Sequence, residues 1–251
     1  MSEGGKVALV TGASAGIGYS IAERLADDGF RVAIFSSSEG SAAQAAEELS
    51  TGGRVVRGYR ADVSDRAAVD AAVAAAREDL GPFSVVVANA AVAPQRAFLE
   101  MTQEEWERTI AINLTGTFNT VQAVLPDLVE TGWGRVVLIS SSSAQRGSPR
   151  MAHYAASKGG QLSLTKALAV EFAGNGITVN TVVPSSVISR SVLRKQAAGT
   201  IPPEEQMAKY IPVGRMGRGE DIAAAVSYLV SDGASYVTGQ TLSVNGGSFI
   251  G

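Results

Sequence analysis

Thr11-Gly12-Ala13-Ser14-Ala15-Gly16-Ile17-Gly18 separates the apolar run Val7-Ala8-Leu9-Val10 from Ile17, Ile21 and Leu25, which recur at helical spacing. A run apolar at every position is the pattern of a strand buried on both faces, whereas spacings of three and four describe a helix with one buried face. Glycine between them lets the backbone turn tightly and come close to a ligand. The chain therefore opens with a strand, a glycine turn and a helix. Unpaired N–H groups in the first turn of that helix suit an anion such as a pyrophosphate. The spacing is Gly-x-x-x-Gly-x-Gly. Such a turn also serves as a plain strand–helix connection, so the rest of the chain has to decide.

The same beat continues. Val32-Ala33-Ile34-Phe35, a run beginning at Val55-Val56, Val85-Val86-Val87, Val136-Val137-Leu138-Ile139, Ile177-Thr178-Val179 and Thr241-Leu242-Ser243-Val244 read as six further strands. Helical patterns lie between them: Ala42 to Leu49; Val69, Val73, Ala76 and Leu80, with Ser64 as the N-cap; Leu162, Thr165, Ala169 and Phe172; and Ile222, Val226 and Leu229. Thr102 and Glu105 form a capping box that opens one long helix to about Leu128. Strands apolar on both faces and separated by helices predict an α/β fold. It is a single doubly wound, Rossmann-type domain over residues 1–251, a seven-stranded parallel sheet with helices on both faces. Only Ser185 to Arg218 breaks the rhythm. It holds Pro202, Pro203 and Pro212, shows no strand, and predicts a lid insertion at about 185–218.

Composition removes several classes of function. The net charge is −3 and no basic stripe is visible, which argues against a nucleic-acid partner. There is no cysteine, and His153 is the only histidine, so thiolate chemistry and a zinc–sulfur or histidine-based metal site are excluded. No segment approaches the ~18 apolar residues of a membrane span. The start, Met1 to Lys6, lacks an apolar leader. The expectation is a cytoplasmic protein with no membrane partner and no metal.

In doubly wound folds a carboxylate at the end of the second strand bonds the adenosine ribose and marks NAD. Ser36-Ser37-Ser38 stands there instead. No carboxylate repels a 2′-phosphate and three hydroxyls can bond one, so NADP(H) is favoured. NAD(H) stays open, because no Arg or Lys stands there and Ala15 sits where some NADP enzymes carry a basic residue. Asp62 and Val63 follow the third strand. Asp62 either accepts the adenine amino group or simply starts the next helix.

Tyr154 and Lys158 are four apart at the start of a predicted helix and share one face. A tyrosine hydroxyl ionises near pH ~10, and a neighbouring ammonium lowers that value, so the pair makes chemical sense as an acid/base. Ser141 precedes Tyr154 by thirteen residues, just past the fifth strand, at the sheet edge where ligands bind. Asn113 lies inside the long helix, where an amide is a mediocre helix former.

Thr-Gly-x-x-x-Gly-x-Gly, Asn89-Ala90, Asn113, Ser141 and Tyr154-x-x-x-Lys158, in this order, resemble the short-chain dehydrogenase/reductase family from Lys6 to Gly247, closest in flavour to 3-oxoacyl-thioester and related ketone reductases. The resemblance implies hydride transfer between a nicotinamide and a carbonyl or alcohol substrate. Tyr154 would move the proton, Ser141 would hold the substrate oxygen, and Lys158 would bond the nicotinamide ribose. Asn113 would hold a water that links Lys158 to solvent. Gly12, Ser14, Gly16, Ile17 and Gly18 would cradle the pyrophosphate. Asn89 and Ala90 would line the adenosine side, with Pro184, Val187 and Ser189 about the nicotinamide. A homotetramer is implied, with the small residues Ala155, Ala156 and Ala167 on a dimerising helix.

The chain departs from the family where Asn-Asn-Ala-Gly reads Ala88-Asn89-Ala90-Ala91 and where Pro-Gly reads Pro184-Ser185, which asks Ser185 to adopt a glycine's backbone angles. The basic rim expected of a carrier-protein reductase is also missing from Glu130–Gly134 and Ala173–Gly176. Arg135 follows the first of these stretches, and Arg190, Arg194 and Lys195 in the lid can compensate in part. A free ketone, an alcohol or a coenzyme A thioester is the favoured substrate. The alternatives are a 3-oxoacyl carrier-protein reductase, another reaction on the same scaffold, and a silent NADP(H) sensor. The sensor has no need of Ser141, Tyr154 and Lys158 together.

Overall fold

The computed structural model describes residues 5–250 apart from Glu39 and Ser189, and omits the side chains of Arg190, Ser191, Arg194 and Lys195. Its order is β1 (Val7–Thr11), α1 (Gly16–Asp27), β2 (Arg31–Ser36), α2 (Ser41–Leu49), β3 (Val56–Arg60), α3 (Arg66–Leu80), β4 (Phe83–Ala88), α4 (Gln103–Ile110), α5 (Gly116–Thr131), β5 (Gly134–Ile139), α6 (Ser143–Arg146), α7 (Ala152–Phe172), β6 (Ile177–Pro184), α8 (Arg190–Ala197), α9 (Glu204–Ala208), α10 (Gly219–Val230) and β7 (Thr241–Val244). The seven strands form one sheet in the order β3-β2-β1-β4-β5-β6-β7, every pair parallel. The order reverses between β1 and β4, and the crevice beyond their C-terminal ends is where such sheets bind ligands.

Alternation along the strands feeds two cores. Ala8, Val10, Ile34 and Val137 pack with Leu25 of α1, Leu49 of α2 and Val226 of α10. Val7, Leu9, Phe35 and Leu138 pack on the other face with Val73 of α3, Val124 of α5 and Ala169 of α7. Each fully buried large side chain contributes roughly 1.5–3 kcal/mol, so neither helical layer is dispensable.

Three local expectations change. Asp65, not Ser64, caps α3, accepting from the backbone N–H groups of Ala67 (2.9 Å) and Ala68 (3.2 Å). The Ser64 hydroxyl instead donates to Asp62. The long helix expected from Thr102 keeps its capping box but is not regular: Ala111–Thr115 is a π-turn between α4 and α5. The lid carries α8 and α9, and an isolated parallel bridge between Val187 and Gly217 joins its two ends.

Candidate active site

β5 delivers Ser140 and Ser141 to the C-terminal edge of the sheet, and α7 runs past them carrying Tyr154 and Lys158. A cavity of about 330 Å³ opens there, and Ser141, Tyr154, Lys158, Asn89, Pro184 and Val187 are among its lining residues. Lys158 is 2 % exposed. Its Nζ donates to the Ile139 carbonyl (2.7 Å) and to Gln161 Oε1 (3.2 Å). Burial pulls its ammonium down to about 7.

Burial also pushes the Tyr154 phenol up, with the Ser141 hydroxyl beside it pulling the other way. Lys158 Nζ lies 5.9 Å from the Tyr154 ring centre. The free chain thus differs from the expectation that an ammonium depresses Tyr154. Desolvation dominates at both groups, because both are sunk into the protein, and at Tyr154 only the Ser141 hydrogen bond opposes it.

Asn113 sits in the π-turn. Its side chain accepts from the Val92 N–H (2.8 Å) and donates to the Val92 carbonyl (3.0 Å) and Ser157 Oγ (3.1 Å). That brace fixes the loop after β4 to α7.

At the glycine turn, Gly12 and Gly16 have φ of +65° and +60°. A Cβ on Gly12 would meet Ala90 Cα at 2.8 Å, and one on Gly18 would meet Asn89 Nδ2 and the Gly12 carbonyl at 2.5 Å. Those two glycines are demanded by packing. A Cβ on Gly16 would meet nothing within 4 Å. The backbone is therefore bare toward the crevice at the start of α1, which fits a pyrophosphate.

A family profile described as enoyl-(acyl carrier protein) reductase matches residues 12–248. Among curated relatives, a 2-(S)-hydroxypropyl-CoM dehydrogenase of Xanthobacter autotrophicus is 38% identical over 96% of both chains. A 3-oxoacyl-[acyl-carrier-protein] reductase of Staphylococcus aureus is 38% identical over 98% of both. An acetoacetyl-CoA reductase of Rhizobium meliloti is 39% identical over 97% of this chain and 98% of its own. A solved actinorhodin polyketide ketoreductase with NADPH superposes at a TM-score of 0.92, with 36% identity over 97% of each chain.

The chain belongs to the short-chain dehydrogenase/reductase family. Its chemistry is that of the family's nicotinamide-dependent oxidoreductases.

Within this short-chain dehydrogenase/reductase the other expected residues fall into place unevenly. Ser36 Oγ shares hydrogen bonds with Ser14 Oγ (3.2 Å) and Ser41 Oγ (2.8 Å), which links the glycine turn to the end of β2. Ser37 and Ser38 are exposed beside it. Asp62 accepts from the Ser64 backbone (2.9 Å) and hydroxyl (2.7 Å), and those bonds hold it below the usual carboxylate range. Val63 is buried, and its carbonyl accepts from Asn119. Asn89 lines the same cavity as Tyr154 and donates to the Thr11 (2.9 Å) and Gly12 (3.2 Å) carbonyls, so it braces the crevice. Ala91 lines the same wall, whereas the Ala90 N–H is tied to Thr11 Oγ1. Ser186, not Ser185, takes the left-handed conformation, with φ of +48°. Ser185 instead presents a buried, unpartnered hydroxyl on the cavity wall. Ser189 lies outside the described residues, as do the side chains of Arg190, Arg194 and Lys195.

His153 is fully buried, lies off the cavity and leaves both ring nitrogens unpaired, so it packs and relays nothing. Two residues at the site were missed. Arg146 lines the cavity from α6, and Gln161 holds Lys158 from below. The signal for Gln161 was its spacing, three after Lys158 and seven after Tyr154 on one helical face.

Substituting Gly16 with Ala separates fold from cofactor site. The fold pays only left-handed strain of about 1 kcal/mol. If the pyrophosphate docks on the bare backbone of this turn, the new methyl would stand in its way, and NADPH affinity is expected to fall at least tenfold. Titration of NADPH fluorescence alongside thermal unfolding checks both; unchanged affinity would move the pyrophosphate away from Gly16.

Proposed function

We propose that this single domain is an NADP(H)-preferring ketoreductase acting on a small carbonyl substrate, with Tyr154 as its proton donor. The carrying observation is that Ser141, Tyr154 and Lys158 line one cavity at the sheet edge. Bound nicotinamide supplies the hydride. Ser141 holds the carbonyl oxygen, and Tyr154 gives it a proton as charge develops. Because burial keeps the phenol protonated at neutral pH, the site is poised for reduction. Lys158 orients the nicotinamide ribose. Ser36, Ser37 and Ser38 would receive the adenosine 2′-phosphate, Asp62 and Val63 would border the adenine, and Pro184 and Val187 would flank the nicotinamide. The ketoreductase solved with NADPH supports this cofactor reading. Ser37→Asp is expected to move the NADPH/NADH ratio of kcat/KM at least tenfold toward NADH by repelling the 2′-phosphate; an unmoved ratio would place that phosphate elsewhere.

Relatives named for oxoacyl, acetoacetyl-CoA and hydroxypropyl-CoM substrates support a short oxo or hydroxy compound. The stretches read as a carrier-protein rim, Glu130–Gly134 and Ala173–Gly176, precede β5 and β6 and so lie at the sheet edge opposite the cavity, where Lys6 Nζ sits 3.4 Å from the Trp133 ring centre and Arg135 donates to the Gly134 carbonyl (2.9 Å). Charge narrows the class further. Arg146 lines the cavity, and no Asp or Glu does among the described residues. An anionic ketone fits best. Arg146→Met is expected to cost at least tenfold in kcat/KM for acetoacetate and under threefold for methyl acetoacetate.

The oligomer is proposed to form on α5 and α7, where Leu114, Phe118, Gly160, Leu164 and Ala167 line an apolar groove and Val170 is 85% exposed. Among the described residues no helix is long and apolar enough to cross a membrane. The deciding assay is NADPH absorbance against a panel of oxo acids, their esters, coenzyme A and carrier-protein thioesters, and cyclic and aryl ketones. No turnover on any of them would leave the NADP(H)-sensing alternative.

A further inference from the structure

Gln161 stands at 0 % exposure in the middle of α7. Burying a carboxamide is costly unless its groups are paired, and here they are. Oε1 accepts from Lys158 Nζ (3.2 Å). Nε2 donates to the Asn113 carbonyl (3.0 Å) and to Thr117 Oγ1 (2.7 Å). Thr117 Oγ1 also donates to that Asn113 carbonyl (2.8 Å). A carbonyl oxygen has two lone pairs. The Asn113 carbonyl is thus met by two side chains that also bond each other.

We infer that Gln161 is the positioning residue for Lys158, its carboxamide tying Lys158 Nζ to the Asn113 carbonyl and Thr117 Oγ1 of the π-turn and α5. This rests on the proposed function for its importance to turnover, but the contact itself does not. The carboxamide has a fixed polarity: an acceptor faces the lysine and a donor faces the π-turn. It holds the ammonium at one point. The groups facing Lys158 are few. β5 presents the Ile139 carbonyl, α7 presents Tyr154 and Gln161, and Arg146 is the other cation on the cavity wall. No carboxylate lines that cavity among the described residues, so Oε1 is the strongest side-chain acceptor the ammonium meets.

The test uses the full chain, with lysine side chains labelled for carbon and nitrogen NMR and titrated without cofactor. Gln161→Glu places a carboxylate on Lys158 and is expected to raise its titration midpoint by at least about one pH unit. Gln161→Met keeps the volume, removes the acceptor, and is expected to lower the midpoint. In turnover, Met should reduce kcat about tenfold with KM for NADPH within threefold. Glu should recover most of that loss and carry the pH limb of kcat upward with the lysine. A Met variant with wild-type kcat and an unmoved lysine would reduce Gln161 to packing and overturn the inference. If Met does not fold, the Glu titration decides alone, and an unmoved midpoint overturns it. Should wild type reduce no carbonyl at all, the proposed function fails while the lysine titration still settles the positioning.

Discussion

Tyr154→Phe is expected to lower kcat/KM for carbonyl reduction by 10²- to 10⁴-fold, the range that general acid catalysis supplies, while NADPH binding stays within threefold. The phenol lines the cavity beside the Ser141 hydroxyl, and burial pushes it above the usual phenol range, so it holds its proton at neutral pH. Phe retains the ring and its volume, so the loss should fall on kcat rather than on folding. Steady-state kinetics with fluorescence titration of NADPH separates the two. Turnover within about threefold of wild type would remove Tyr154 from the chemistry and shift attention to Ser141 and Lys158.

Lys158→Met is expected to combine a loss of at least 10²-fold in kcat/KM with a gain in stability of the cofactor-free protein. Burial depresses the folded-state value to about 7, below the 10.5 of an exposed lysine. The unfolded chain therefore holds a proton through that interval that the folded chain sheds. Stability of the wild type should rise with pH from about 7 to about 10.5, and the penalty is fully present below the folded value. Met removes it, at the cost of leaving the Ile139 carbonyl and Gln161 Oε1 without their donor. The net gain at pH 7 is expected to be about 1–3 kcal/mol, shrinking as the pH rises toward 10.5. Denaturant unfolding of both proteins at pH 7 and pH 10 measures it. A wild type whose stability does not change across that interval would mean that Lys158 stays charged in the folded chain.

The strands were legible because a parallel sheet covered on both faces favours apolar side chains on both sides of a strand; Val7 to Val10 and Val136 to Ile139 are buried at every residue. The pairing of Tyr154 with Lys158 was legible because helical spacing is local. What escaped was set by tertiary partners. The π-turn at Ala111–Thr115 lies in a stretch whose composition is helical throughout, and nothing local marks which carbonyl will be released. Gln161 on a helix reads as a surface residue until Thr117 and Asn113 are brought against it. Arg146 could be assigned to a loop but not to the cavity, because the path of α6 depends on hydrogen bonds such as Ser142 N–H to the Pro184 carbonyl (3.0 Å). The strain expected at Ser185 fell one residue later, since a backbone angle cannot be located to a single position by composition alone.

The widened turn between α4 and α5 also imposes a counting rule. Each residue advances a helix by about 100°. Deleting one residue there to make the helix regular would rotate Gly116–Thr131 against Gln103–Ile110 by that angle. Either Val121, Val124 and Leu128 would swing off the sheet, or Asn113 and the segment before it would swing away from α7. Core and site are thus out of phase by one residue, and the π-turn absorbs the difference. Single insertions and deletions are forbidden across this stretch, whereas the lid is spared the same rule. Its ends are closed on each other by the Val187–Gly217 bridge, with Ile188 N–H donating to the Gly217 carbonyl at 2.8 Å. Length can change between those ends without altering the register of anything outside them.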